Sequence, residues 1–195
     1  IRSITTYFTG NLSIRIAREA WLRGASVELI LGKGSRSAPD FINTKIAATF
    51  EDYASILKKS LSQQSFDWGI FTAAVADFQP VNVYEGKLSS RIKQLDLKLM
   101  PTPKMVGEVQ KKYPQLKTVT FKYEENVSHE ELMKIAKKPF SKKGGPQMVV
   151  ANRAEEFKPD GTQVAWLIQP EKEPEKHVGK EDIANAILKS IELTS

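Results

Sequence analysis

The chain has no cysteine among its 195 residues, which excludes a disulfide framework, a cysteine-ligated zinc site and a thiol nucleophile. Histidine is nearly as scarce. His129 and His177 stand far apart and form no HExxH arrangement, so no histidine-based metal site is expected. No apolar run approaches the roughly eighteen residues that a membrane span needs, and no signal-like apolar segment opens the chain. The expectation is a globular, cytoplasmic protein with no membrane partner, although the opening at Ile1 rather than Met leaves room for a removed N-terminal piece. A GxGxxG fingerprint is missing too, and Gly32-Lys33-Gly34-Ser35 is no Walker A loop because Val27 occupies the place of its first glycine, which argues against ordinary NAD binding and P-loop hydrolysis. What remains for chemistry is hydroxyls, lysines, carboxylates and backbone amides. Lysine and arginine number 29 against 23 acidic residues, for a net charge of +6. That surplus favours an anionic partner, either nucleic acid or a small phosphorylated molecule.

Helical and strand patterns alternate along the chain. Residues 11–23 place Leu12, Ile16 and Ala20 on one helical face, with Gly24 as the C-terminal stop. Residues 27–31 form a β-prone run ending at Gly32, followed by a loop rich in glycine and serine. Thr49 and Asp52 have capping-box spacing for a helix to about Gln63, and Ser128 with Glu131 for another ending before Pro139. Strands are expected at 68–72, 95–100, 118–122, 148–151 and 164–168, a helix starting with Thr102 as cap and Pro103 as its first residue, and a last amphipathic helix over 180–193. Strands that are continuous apolar runs indicate a parallel sheet covered on both faces. The expected fold is therefore α/β: a single domain over residues 1–195 with a Rossmann-like, doubly wound, mostly parallel sheet and helices on both faces. Such a domain normally begins with a strand, yet only ten residues precede the first helix, so a first strand is expected to be missing from the chain.

In this architecture ligands gather at the carboxyl ends of strands, which directs attention to loops 32–43, 73–90, 122–128 and 152–159. Thr5-Thr6-Tyr7-Phe8-Thr9-Gly10 lies just ahead of the first helix, where hydroxyls and amides either cap that helix or face an anion at its positive end. In Thr72-Ala73-Ala74-Val75-Ala76-Asp77-Phe78-Gln79-Pro80 the small residues at a strand end allow a ring or ribose to approach the backbone. Asp77 there accepts from a hydroxyl, reaches Mg²⁺ through water, or simply caps the turn. Lys87, beside Gly86 and two serines, is either a solvated loop lysine or a movable clamp on phosphate. Phe121 offers a face for a base to pack on, or belongs to the core.

Taken in order, these motifs resemble the phosphopantothenoylcysteine synthetase family of coenzyme A biosynthesis. Residues 2–10 resemble its VR-x-I-[ST]-N-x-S-S-G stretch, and 73–80 are similar to its AAVADYRP loop almost residue for residue. Residues 86–90 resemble its lysine-containing loop, Thr102-Pro103-Lys104 its TPDI-like helix start, 120–124 its GF-[AK]-x-E strand end and Val150-Ala151-Asn152 its VAN strand end. The likeness runs from Ile1 to about Leu193. It departs at Thr6, where the family has asparagine, at Phe8, where it has serine, and at Gln79, where arginine is common.

The resemblance implies a ligase that joins 4'-phosphopantothenate to cysteine through an acyl-nucleotidylate made from CTP or ATP, with Mg²⁺ on the phosphates and no metal site built from protein side chains. It implies nucleotide contacts from Phe8, Thr9, Gly10, Ala73, Ala74, Asp77, Lys87 and Phe121, and pantothenate contacts from Arg2, Thr6 and Ala74. Lys87 and Thr6 are its catalytic candidates. It also implies a homodimer, and turns the positive surplus toward phosphorylated small molecules rather than nucleic acid. An alternative reading, motivated by Thr6, is a catalytically weakened paralogue that binds nucleotide or pantothenate derivatives as a regulatory or assembly subunit.

Overall fold

The computed structural model describes residues 9–82, 84, 86, 89 and 91–194. Helix α1 (Asn11–Leu22) stops where expected: Gly24 takes a left-handed φ of 88°, its N–H reaches the Trp21 carbonyl, and the Ala25 N–H reaches that of Ala20, the paired bonds of a Schellman ending. Strand β1 (Glu28–Gly32) then pairs in parallel with β2 (Asn43–Ala47). Helix α2 (Phe50–Gln63) opens with the anticipated capping box, Thr49 and Asp52 each accepting from the other's backbone.

Strand β3 (Trp68–Phe71) is followed by β4 (Phe78–Pro80) and β5 (Leu99–Pro101), which form a separate antiparallel pair. The strand expected over 95–100 is thus reduced to its last residues. Leu95 and Leu97 are exposed, so the apolar run that signalled a strand buries nothing there. The next helix also begins later than expected. Helix α3 (Met105–Lys112) has Lys104 at its N-cap, because the Thr102 hydroxyl is committed instead to the Ala76 carbonyl at 2.6 Å.

The remaining elements are β6 (Lys117–Glu124), α4 (His129–Lys137) running into a 3-10 turn at Lys138–Ser141, β7 (Met148–Arg153), β8 (Val164–Ile168), β9 (Glu175–Val178) and α5 (Lys180–Glu192). The larger sheet has the order β3-β6-β7-β8-β9, parallel through β7 and antiparallel beyond it. Strand β9 has no apolar pattern and was not expected.

Side chains alternate across this sheet as the period of two requires. Met148 and Val150 join Ile183 and Ile187 of α5 and Ile16 of α1 on one face, while Val149 and Ala151 meet Leu132 and Ala136 of α4 on the other. The smaller sheet follows suit, with Leu29 and Leu31 under Ala17 of α1 and Ile30 in the cluster of α2 and α3. The result is the expected α/β arrangement, a mostly parallel sheet with α1 and α5 on one face and α2, α3 and α4 on the other. Among the described residues no strand lies between β1 and β3, so the parallel sheet is interrupted there. No described helix is long and apolar enough to cross a membrane.

Candidate functional site

The first turn of α1 holds no acidic residue, and among the described residues no side chain caps it, so Thr9 does not act as the cap that the local sequence allowed. Gly10 occupies the N-cap position with φ 69° and ψ 6°, in the left-handed region that disfavours residues with a Cβ. The loop after β1 packs against it: an added Cβ would lie 3.1 Å from Ser35 Oγ and 3.3 Å from Leu31 Cδ2. The Arg36 N–H donates to the Thr9 carbonyl at 3.0 Å. The 32–35 loop is therefore a wall of the site rather than a loose strand end.

This arrangement carries a prediction. Gly10→Ala should destabilise the fold by more than Gly24→Ala, although both positions have positive φ. Gly24 has nothing within 4 Å of an added Cβ and bears only the backbone cost of about 1–2 kcal/mol, whereas Gly10 must also displace Ser35. Urea denaturation of the two variants checks the order, and equal losses would contradict the packing.

A hydrogen bond between Ser13 Oγ and Thr72 Oγ1 at 2.7 Å joins the first turn of α1 to the carboxyl end of β3. It brings Gly10 and the Ala73-Ala74 segment to one place, and both alanines are exposed. Strand β6 reaches the same level, since Thr120 pairs with Phe71, the last residue of β3, and Phe121 follows it. Phe121 is half-buried against the α1 and α5 core cluster, so much of its ring serves packing. Asp77 is exposed and its carboxylate is bridged by Lys104. The loop that carries it is held by Thr102, whose N–H donates to the Asp77 carbonyl at 2.9 Å and whose hydroxyl donates to Ala76. Ser13 was not singled out from the sequence, and Thr72, Ser35 and Lys104 stood within quoted motifs without a role of their own, because their partners are distant in the chain.

The other strand-end loops are tied to each other. The Asn126 N–H donates to Glu155 at 2.5 Å, and Arg153 donates to the Val127 carbonyl at 2.7 Å. Backbone amides, those of Glu155 itself and Asn126, hold the Glu155 carboxyl below the usual range. The Tyr123 hydroxyl donates to Glu125 at 2.5 Å, and that bond, with burial and the nearby carboxylates, pushes its pKa up to about 12. Asn152, at the VAN strand end, is buried. Among the described residues no group of three or more metal-ligating side chains gathers. Arg2, Thr6, Phe8 and Lys87 lie outside the described residues.

The sequence profile of the DNA/pantothenate metabolism flavoprotein C-terminal domain matches residues 1–194. The chain belongs to this family. Among curated relatives, the Coenzyme A biosynthesis bifunctional protein CoaBC of Thermococcus kodakarensis is 34% identical over 168 residues, covering 86% of this chain and 41% of that protein. Its counterpart in Methanocaldococcus jannaschii is 31% identical over 153 residues, covering 78% and 36%. This chain thus spans less than half the length of these relatives. Its fold is that of a crystal structure of the DNA/pantothenate metabolism flavoprotein from Streptococcus pneumoniae, with a TM-score of 0.85 and 24% identity over 100% of this chain and 93% of that one. The C-terminal domain of a CoaBC protein matches with a TM-score of 0.78 at 22% identity, covering 100% and 87%. The family read from the ordered motifs is the family found.

Proposed function

We propose that this chain performs the ligation of 4'-phosphopantothenate to cysteine in coenzyme A biosynthesis, using CTP or ATP, as a cytoplasmic homodimer. The observation that carries this reading is the Ser13–Thr72 bond, which sets the uncapped, positive end of α1 beside the AAVADF loop in a member of a family whose curated relatives are coenzyme A biosynthesis proteins. Helix amino ends bind phosphate through free N–H groups and the helix dipole. The β4–β5 pair, with Phe78, Leu99 and Met100 exposed, supplies apolar surface consistent with pairing of two copies.

A carboxylate is a poor electrophile, so the substrate carboxylate first attacks the α-phosphorus of the nucleotide. An acyl-nucleotidylate forms and pyrophosphate leaves. The cysteine amine then attacks the acyl carbon, the amide bond forms, and the nucleoside monophosphate departs with the bonding electrons while the amine loses a proton. Thr9 and Gly10, with Phe8, hold the triphosphate. Ala73 and Ala74 admit base and ribose against the backbone, with Asp77 and the exposed part of Phe121 completing that side. Arg2, Thr6 and Ala74 hold the pantothenate portion, and Lys87 closes over the phosphates. Asp77 is engaged by Lys104, so Mg²⁺ would enter with the nucleotide and would supply neutralisation of phosphate charge.

The test supplies Mg²⁺, phosphopantothenate and cysteine with CTP or ATP and measures pyrophosphate. Release that requires phosphopantothenate is expected with one of the two nucleotides, and its absence with both would refute the reading. Thr6 favours the second reading of a weakened regulatory or assembly subunit, because threonine lacks the paired donor and acceptor of the family asparagine. A rise in turnover of about tenfold or more in Thr6→Asn, the value of one hydrogen bond, identifies a weakened enzyme. Unchanged turnover makes Thr6 a tolerated variant.

A further inference from the structure

The positive surplus of the chain is concentrated in two segments. Residues 109–118 and 132–147 contain eight lysines, no arginine and no acidic residue. Seven of these lysines are exposed. Lys111 and Lys112 end α3, Lys134 and Lys137 end α4, Lys138 opens the 3-10 turn, and Lys142 and Lys143 follow in the loop before β7. None of the seven pairs with a described carboxylate, whereas Lys45, Lys58, Lys104 and Lys122 do. Setting the seven aside leaves 22 basic residues against 23 acidic ones, so the whole excess lies in them. The eighth, Lys117, is held by the Thr194 carbonyl and the Trp68 ring.

Both segments lie at the amino edge of the larger sheet, where β6 and β7 begin at Lys117 and Met148. Thr118 stitches them together: its N–H donates to Gln147 Oε1 at 2.6 Å, its carbonyl accepts from the Gln147 N–H at 2.9 Å, and its hydroxyl accepts from Gln110 Nε2 at 3.0 Å. The loop that carries Lys142 and Lys143 is closed on itself. The Lys142 N–H donates to the Pro139 carbonyl and the Gly145 N–H to the Lys142 carbonyl, and a Cβ at Gly145 would collide with the Pro139 carbonyl oxygen. Glu171 and Glu173, exposed on the β8–β9 turn, bound the surface on one side.

Two ordinary reasons for such lysines fall short. Cations in the last turn of a helix offset its dipole, but Lys138, Lys142 and Lys143 lie beyond both α-helices, and Lys134 and Lys138, four positions apart, repel one another. Phosphate at the amino end of α1 is out of reach. That end lies at the opposite edge of the sheet, and the eight residues of β6 separate the edges by roughly 25 Å, about three Debye lengths at physiological salt. Composition then selects the partner. Protein interfaces are rich in arginine and aromatic residues and poor in lysine, whereas these segments have no arginine and no exposed aromatic side chain. They expose no large apolar side chain for a membrane, and nothing on which the bases of a single strand could stack. Lysine point charges alone suit a dense row of phosphates, and a duplex carries one charge per roughly 1.7 Å of its axis.

We propose that this edge, at the carboxyl ends of α3 and α4, is a docking surface for the phosphate backbone of a double-stranded nucleic acid, held without regard to base sequence. The lysines meet phosphates as point charges and release their counterions, while no side chain of the two segments is suited to read a base edge by a paired arginine contact. The surface is independent of the proposed ligation site.

The test uses the whole chain and the fluorescence anisotropy of a labelled, mixed-sequence DNA duplex of about 20 base pairs, titrated at several salt concentrations. Binding with a Kd of about 10⁻⁴–10⁻⁶ M is expected, with log K falling against log salt at a slope of about −4 or steeper. The double variant Lys142→Gln/Lys143→Gln should weaken binding by about tenfold or more near ~0.1 M salt and make the slope shallower by about 2, with circular dichroism unchanged. Lys98→Gln/Lys158→Gln removes the same charge from exposed residues outside the two segments and should leave affinity and slope as they were. A duplex RNA of equal length should bind alike. Phosphatidylserine vesicles and polyglutamate are the rival polyanions and should bind more weakly than the duplex. Absence of binding near ~0.05 M salt, an equal loss in the two double variants, a tighter hold on the single strand, or stronger binding to the vesicles or to polyglutamate would each overturn the proposal. Ligation is not among the readouts, so failure here and failure of the proposed reaction are separate results.

Discussion

Lys87→Ala is expected to lower ligation turnover by about 10²–10³-fold, the usual loss when one preorganised stabiliser of developing charge is removed. In the proposed reaction, negative charge would build on the phosphoryl oxygens and on the departing pyrophosphate as the carboxylate attacks the α-phosphorus. The amino end of α1 offers fixed partial charges to part of that load. It cannot follow charge that moves, whereas a lysine on a long flexible stem can. The loss should fall on kcat rather than KM if Lys87 acts in the transition state, and on both if it holds the nucleotide beforehand. Steady-state pyrophosphate release measured against nucleotide concentration separates the two. Retained turnover would take Lys87 out of the mechanism. Lys104 is a useful comparison: its ammonium is committed to Asp77 and both groups are exposed, so Lys104→Ala should disturb the AAVADF loop and weaken nucleotide binding rather than slow the chemical step.

The largest effect on stability is expected from Leu132→Ala, which should lower the unfolding free energy by about 2–5 kcal/mol, against a total of about 5–15 kcal/mol for ordinary domains. Leu132 has no exposed surface. It sits among Ala136, Val149, Ala151 and Ile168, with Phe140 and Trp166 around the rim. Two of these neighbours are alanines, whose methyl groups cannot reach into a void, and Val149 and Ile168 are fixed by the sheet, so the cavity would collapse little. The urea midpoint reports the change, and a loss below about 1 kcal/mol would mean that the cluster repacks.

How much could be read in advance depended on how local the determinant was. The Thr49–Asp52 box, the Ser128 cap and the Gly24 stop use groups within a few residues of one another, and each sits where the sequence put it. The apolar runs at 68–72 and 148–151 marked strands, half-buried in the first case and buried in the second, because a sheet covered on both faces needs no alternation. Strand β9 could not be found this way: Glu175, Lys176 and His177 carry no apolar signal, and its existence depends on the edge that β8 offers. The run at 95–100 misled for the opposite reason, being apolar but not buried.

The site shows the same division. Gly10 and the AAVADF loop were legible as motifs. The bonds that assemble them, Ser13 to Thr72 across 59 positions and Lys104 to Asp77 across 27, join residue types too common to stand out alone.

Strand β9 has a consequence for how copies of the molecule meet in a crowded solution. The outer rim of the larger sheet is only four residues long, and Glu175 and Lys176 are exposed on it. His177 and the Val178 N–H are tethered to Asp182 of α5. A short charged border of this kind discourages edge-to-edge stacking of sheets, the first step toward fibrous aggregates. The five-stranded sheet is thereby kept from growing without end on that side.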